Sequence, residues 1–254
     1  MEYYVNKNSI VREIWGTSDT ILMVFAGASA EFATNKAVDW LYFTGKLPSD
    51  PLGRLFSTVN YAKAIVFSEK HAAIKAIDHI TEIHTSVENK RGAKIPEWAY
   101  KDVLFMLIDY SIRSYELLER PLQTEEKQEV LNVFGNVGKR MGLKNLPLTY
   151  SDFEIARNKH LNQNLKNGEY TEDLYKQYRK HLGLFRYRML LESQILLLPN
   201  TVRELLKLRQ VSLLKPLIST YKVFRSLKID WILKDIILPT AYKQDIKRLN
   251  ITTS

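Results

Sequence analysis

The chain has 254 residues, 45% of them apolar and 26% charged, which suits a folded globular protein and argues against disorder. It contains no cysteine, which excludes disulfides, thiolate-ligated haem, iron–sulfur clusters and Cys-type zinc, and fits a reducing, cytoplasmic setting. The net charge of +9 is uneven: residues 176–254 hold 16 Lys/Arg against 5 Asp/Glu, whereas residues 1–175 hold 21 against 23.

Residues 1–8 are polar and lack the apolar centre of a secretory leader. The longest apolar runs, 21–30 and 195–199, fall far short of the roughly 20 residues that span a bilayer. Asp50 suits an N-cap and Pro51 the first helical position, which predicts a helix towards Phe67. Ser68 is expected to cap the next helix, which carries Ile74, Ile77, Ile80, His84 and Val87. Residues 98–118 read as a long apolar helix ended by Pro121. Thr124 with Glu125 and Glu126 opens another, closed by Gly142. Ser151 with Glu154 has the form of a capping box for a helix to about Asn167, with Gly168 as its stop. Thr171 begins one more, ending near Gly183, and Pro199, Pro216 and Pro239 divide the basic tail into short helical pieces. Strand-like alternation and hairpin turns are scarce, and no stretch is polar enough to serve as a linker. The predicted fold class is therefore all-α, a single multi-helix domain.

Two segments carry the chemistry. Arg54, Ser57 and Thr58 stand at i, i+3 and i+4, so a helix presents a cation and two hydroxyls to one place. A guanidinium buried there needs an anionic partner, because an unpaired buried charge costs several kcal/mol. A cofactor carboxylate such as a haem propionate, a bound anion or a protein carboxylate would each serve. His84 shares its face with Ile77, Ile80 and Val87 and so points inward, either as a satisfied core histidine or as a single ligand. His79 lies roughly 140° around the same helix, so a straight helix cannot aim both at one metal. His71 and His79 fall among Lys70, Lys75 and Asp78 on a solvated face. Gly135-Asn136-Val137-Gly138 with Gly142 follows no strand and is not a nucleotide loop, and zincin, calcium-loop and serine-hydrolase signatures are absent.

The order Asp50-Pro51-Leu52-Gly53-Arg54-Leu55-x-x-Thr58, then Ile83-His84-x-x-Val87, then the apolar helix 103–118 followed by Pro121-Leu122 and Glu125/Glu126, resembles the MpaB / rubber oxygenase (latex clearing protein) family. Leu146-Pro147 with Phe153, residues 186–199 and Leu238-Pro239 extend the similarity over about residues 10–248. The resemblance implies an all-α, oxygenase-like domain over residues 1–254, built around a haem b pocket, with 176–254 as a basic C-terminal helical region. It implies His84 as the proximal iron ligand and Arg54 and Thr58 as pocket residues in catalytic positions. Its activity would be the cleavage of isoprenoid carbon–carbon double bonds with dioxygen.

The chain departs from the family in three places. Ser57 stands where latex-cleaving members have a lysine able to reach the iron, which implies an open or water-filled distal side next to the cofactor-binding set Arg54, Ser57, Thr58 and His84. Phe25-Ala26-Gly27-Ala28 replaces a His-Pro pair, and the central helix lacks a histidine that relatives often carry. Phe25, Phe56, Phe105 and Met106 are candidate walls for a hydrophobic substrate, and Glu31 and Asp39 candidate bases on the preceding helix. Two alternatives stand beside the oxygenase. One is a non-catalytic haem-binding sensor or carrier. The other is a basic module that docks peripherally on an anionic membrane surface through 176–254, where Leu205, Leu206, Leu213, Leu214 and Leu217 alternate with Arg203, Lys207, Arg209 and Lys215. An acidic protein surface is a further candidate partner, nucleic acid is less expected because no recognised binding fold emerges, and a merely solvated basic face is the plainest account.

Overall fold

The computed structural model describes residues 2–45 and 49–226, without the side chains of 51, 52, 54–56 and 223–226. Among the described residues there are eleven helices: α1 (Ile10–Gly16), α2 (Ser18–Thr34), α3 (Asp39–Phe43), α4 (Pro51–Phe67), α5 (Lys70–Arg91), α6 (Glu97–Leu118), α7 (Thr124–Arg140), α8 (Tyr150–Gln163), α9 (Glu169–Leu197), α10 (Asn200–Leu205) and α11 (Lys215–Ser226). Extended pairing among them is limited to two isolated bridges, Tyr3 to Glu69 and Asn35 to Leu165. The fold is all-α, as the helix punctuation predicts.

Local chemistry sets many of the ends. The Asp50 carboxylate accepts the Gly53 N–H at 2.8 Å and caps α4, with Pro51 at the first helical position. The Glu126 carboxylate accepts the Gln123 N–H at 2.8 Å at the start of α7, and Gly142, with φ 85°, follows the end of that helix. Several boundaries differ from the sequence reading. The Ser68 carbonyl accepts the Tyr4 N–H at 3.4 Å, and α5 begins after Glu69 rather than at a Ser68 cap. Thr149, not Ser151, caps α8, its hydroxyl accepting the Asp152 N–H at 3.1 Å. That helix stops at Gln163, short of Gly168. The Lys36 N–H bonds the Asn164 carbonyl at 2.9 Å and the Lys166 N–H bonds the Thr34 carbonyl at 2.7 Å, drawing the chain onto the end of α2. Gly183, with φ 72° and ψ 171°, bends α9 instead of ending it, and the helix continues to Leu197.

The core is organised around α2, which packs most extensively on α6 and α9. Ile14, Trp15, Ile21, Val24, Phe105, Ile108 and Tyr110 are buried there, and the Trp15 indole donates to the Ser111 hydroxyl at 3.1 Å. Phe25, Phe105 and Met106, candidate pocket walls from the sequence, are ordinary members of this core, because each faces a neighbouring helix rather than a cavity. Phe56 has its side chain outside the described residues. The glycine-rich run of α7 has a packing role: a Cβ on Gly138 would come within 2.7 Å of Leu104 and 2.9 Å of Leu146. In the basic region, Leu205 and Leu206 pack against the core, and of the leucines expected beside the basic residues only Leu213 and Leu217 are exposed. Residues 227–254, including Pro239, lie outside the described residues. No described helix is long and apolar enough to cross a membrane.

A charged network crosses this apolar interior. The Arg157 guanidinium of α8 makes two 2.5 Å bonds to the Glu31 carboxylate of α2, and its Nε reaches Asp109 of α6 at 3.1 Å. The Tyr110 hydroxyl donates to Glu31 at 2.8 Å, and Arg113 Nε donates to Asp109 at 2.7 Å. Burial would strip the Arg157 proton more easily, but Glu31 and Asp109 outweigh it and hold the guanidinium charged. Glu31, a candidate base from the sequence, is therefore locked in a buried ion pair.

Two stability experiments follow from this packing. A Cβ on Gly27 would stand 2.3 Å from the Tyr110 ring, so Gly27→Ala should destabilise the fold by about 1–3 kcal/mol in urea unfolding. Arg157→Met should cost about 3–5 kcal/mol by leaving Glu31 buried without its cation, and adding Glu31→Leu should recover part of that loss.

Candidate functional site

Two residues separate α4 from α5, so these helices fold back on one another as a hairpin. Near the turn, Ile65 of α4 meets Ala73 and Ile77 of α5 and Val137 of α7 in a small buried cluster, with Ile80 and Met141 beside it. Seven residues are nearly two full helical turns, about 10 Å along the axis and almost the same direction around it. Thr58 is seven residues from Ile65, and His84 is seven from Ile77. Both therefore lie on stripes that leave the same cluster and run to the same end of the hairpin. Arg54 is one turn further on the Thr58 stripe, but its side chain lies outside the described residues. Ser57 is set roughly 100° around α4 from Thr58. Ser57, Thr58 and His84 are each half-buried.

The His84 ring stands edge-on to the Tyr100 ring of α6, with centroids 5.1 Å apart and planes at 87°. It faces a cavity of about 200 Å³ that Thr81, Thr85, Glu88, Tyr100, Met141 and Leu143 also line. The Thr81 and Thr85 hydroxyls donate back to the carbonyls of Ile77 (3.1 Å) and Thr81 (3.0 Å). This satisfies them on their own helix. His71 and His79 are exposed, as expected, and His79 sits 3.4 Å from Glu82.

Glu88, which the sequence reading passed over, organises this site. It lies one turn beyond His84 and is buried, accepting Lys94 Nζ at 2.7 Å, the Ile95 N–H at 3.0 Å and the Tyr100 hydroxyl at 3.2 Å. Burial pushes its carboxyl up, but Lys94, the Ile95 N–H and Tyr100 together outweigh that and hold it below the usual 4.5. Burial and the Glu88 charge in turn keep the Tyr100 phenol protonated. Glu88 thus fixes the ring against which His84 rests. Its only sequence signal was an acid four residues after an inward histidine.

Arg91 continues the His84 stripe by a further seven residues. It bonds Asp39 at 2.7 Å and its guanidinium lies 4.0 Å from the Trp40 ring centroid. Asp39, a second candidate base, is therefore held in an ion pair and sits on α3, separate from the helix of Glu31. His160, also unremarked in the sequence, bonds Asp102, which takes further bonds from Asn35 at 2.8 Å and Asn164 at 3.1 Å. That group ties α6 and α8 to the end of α2. Among the described residues no three His, Asp or Glu side chains converge to hold a bare metal ion. A lone imidazole such as His84 suits a metal whose remaining donors come from a macrocycle.

Because the folded-state Glu88 carboxyl is more acidic than an unfolded one, its pairing stabilises the protein above pH 4.5, and that contribution is lost as pH falls through the lower folded value. The melting temperature of Glu88→Gln should therefore lie furthest below that of the unaltered protein near neutral pH. The gap should narrow in melts taken towards about pH 3.

Comparison with known proteins bears on this site. The family model described as ER-bound oxygenase mpaB/B′/rubber oxygenase, catalytic domain, matches residues 15–226. No curated protein and no solved structure gives a match. The matched stretch runs from α1 to the end of α11 and takes in the α4–α5 hairpin, the His84 cavity and the buried ion network. With most of its length matched, the chain belongs to the mpaB/rubber oxygenase catalytic-domain family.

Proposed function

We propose that this protein is a haem b-dependent oxygenase that uses dioxygen on a hydrophobic, isoprenoid-like substrate, with His84 as the proximal ligand of the iron. Membership of an oxygenase family supports the reaction class. The observation that carries the cofactor reading is the half-buried His84 ring, held edge-on by Tyr100 and facing a cavity, where no other His, Asp or Glu group is assembled to hold a metal among the described residues. A single imidazole would suit a haem, whose macrocycle supplies the other donors to the iron. When bound, the haem iron supplies the site at which dioxygen is activated.

The chain's own residues supply orientation and shelter. Tyr100, held by Glu88, sets the plane of the His84 imidazole, a supporting contact of the kind that tunes metal ligands. Met141 and Leu143 keep water from that side. Thr58 and Ser57 would offer hydroxyls from α4, and Arg54 would be the cation for a propionate, as the family resemblance implies. A serine hydroxyl is a poor iron ligand, so Ser57 would not compete with His84 for the iron. The cavity of about 200 Å³ is smaller than the roughly 300–1,000 Å³ typical of ligand sites and is lined from α5, α6 and the turn after α7, so uptake of a haem would require α5 to move away from α6 and that turn.

A haem-binding sensor or carrier is the second reading, favoured by one observation. Both carboxylates considered as a base, Glu31 and Asp39, are held in ion pairs. Spectroscopy and turnover distinguish these readings. Titration of the purified protein with hemin should produce a Soret band that His84→Ala abolishes while the far-ultraviolet helical signal is retained. A protein that stays colourless with hemin overturns both haem readings. Oxygen consumption with unsaturated terpenoids supports the oxygenase, and haem binding without it supports the carrier.

A further inference from the structure

The basic excess of the sequence becomes a defined surface in the fold. Residues 176–226 carry 11 Lys/Arg and 2 Asp/Glu. The bend at Gly183 leaves Leu184 and Phe185 at 54% and 59% exposure. Phe185, Arg188 and Glu192 follow at i, i+3 and i+7 along the second half of α9, a stripe about 10 Å long. Glu192 fastens the segment after α10 to that stripe. It accepts the Leu213 N–H at 2.7 Å and the Ser212 hydroxyl at 3.0 Å, and pairs with Arg209.

Held in this way, Val211, Leu213 and Leu217 stand 61%, 67% and 55% exposed, while Ser212 between them is buried. The other end of α11 is anchored to the body, Tyr221 donating to Asp19 at 2.9 Å and Lys222 to the Glu119 carbonyl at 3.1 Å. The patch is therefore carried on a braced surface. Arg188, Lys207, Arg209 and Lys215 are exposed on the same segments, and Glu192, one of the two acids in residues 176–226, is engaged by Arg209 and the Leu213 N–H.

Bulky apolar side chains at this exposure mark a surface that another phase or molecule covers. The charge decides which. Nucleic acid would use the cations but leave the leucines in water. An anionic bilayer takes both, apolar tips entering the acyl boundary while Lys and Arg meet the phosphates. We propose that the face formed by Leu184, Phe185, Val211, Leu213 and Leu217, with Arg188, Lys207 and Lys215 on the same segments, docks peripherally on an anionic lipid surface. This contact is independent of any haem.

Sedimentation of the full chain with phosphatidylcholine vesicles, with and without phosphatidylserine, tests the proposal. Binding should need phosphatidylserine and fall steeply as salt is raised. Each basic side chain near such a surface strengthens partition about fivefold, so Arg188→Gln/Lys207→Gln/Lys215→Gln should weaken it on the order of 100-fold. Val211→Ser/Leu213→Ser/Leu217→Ser should weaken binding at both low and high salt, with melting curves confirming that each variant is folded. Absence of sedimentation at low salt overturns the proposal, as does equal binding to neutral vesicles or binding that neither variant alters. Nucleic-acid binding lost in the charge variant, without vesicle binding, reassigns the face and overturns it. So does concentration-dependent self-association that the serine variant alone removes while vesicles are ignored.

Discussion

The Arg157 side chain is 5% exposed, and taking a guanidinium out of water costs several kcal/mol unless carboxylates stand close by. Glu31 on α2 and Asp109 on α6 meet that requirement from two different helices, and Tyr110 and Arg113 complete the bonding. The result is a demand on geometry. If α2, α6 or α8 shifts by an ångström, a buried charge loses its partner, whereas an apolar contact would merely loosen. Gly27 belongs to the same constraint, since its missing side chain lets the Tyr110 ring lie on α2 and reach Glu31. The buried Asp102 group, bonded by Asn35, His160 and Asn164, holds the same three parts of the chain about two turns further along α6.

The α4–α5 hairpin sits outside this locked centre. Its inner stripes meet in a small cluster of Ile65, Ala73, Ile77 and Val137, much smaller than the core around α2. Beyond that cluster the α5 stripe reaches His84 and a cavity lined from α5, α6 and the turn after α7, with no described α4 residue in its wall. Segments with fewer buried apolar contacts open at lower free energy than the core; α4 joins the main core through Val59, Ala62 and Val66, whereas the buried apolar residues of α5 are only Ala73 and Ile77, so α5 is the less anchored side of the hairpin. The ion-paired centre at α2 thus contrasts with the lighter apolar anchoring of α5. Glu88 and Tyr100 give the histidine a fixed wall on the α6 side.

Features depending on neighbours along the chain could be read from the sequence. Asp50-Pro51 announced the start of α4, and Gly142 the end of α7, because a cap bonds residues only two or three positions away. The inward direction of His84 was legible for a similar reason: a helix repeats its direction at i+7, and Ile77 is buried. Gly183 was legible as an interruption but not as a bend, since whether a helix resumes after a glycine depends on what the next turn packs against. Leu205 and Leu206 looked like Leu213 and Leu217 in the sequence, yet the first pair packs on the core and the second does not.

By itself, then, the sequence determined the all-α class, several of the helix starts and stops, the face His84 would occupy and, through an ordered set of motifs, the oxygenase family. All of these are consequences of spacing. Tertiary structure alone decided that Glu31 would be locked by Arg157, 126 residues away, that Asp39 would pair with Arg91, and that Glu88 would hold Tyr100 against the histidine. It also decided which leucines of the basic region would meet the core and which would face outward. The reason is physical: a buried charge is defined by partners that the fold brings from distant positions, and periodicity carries no record of them.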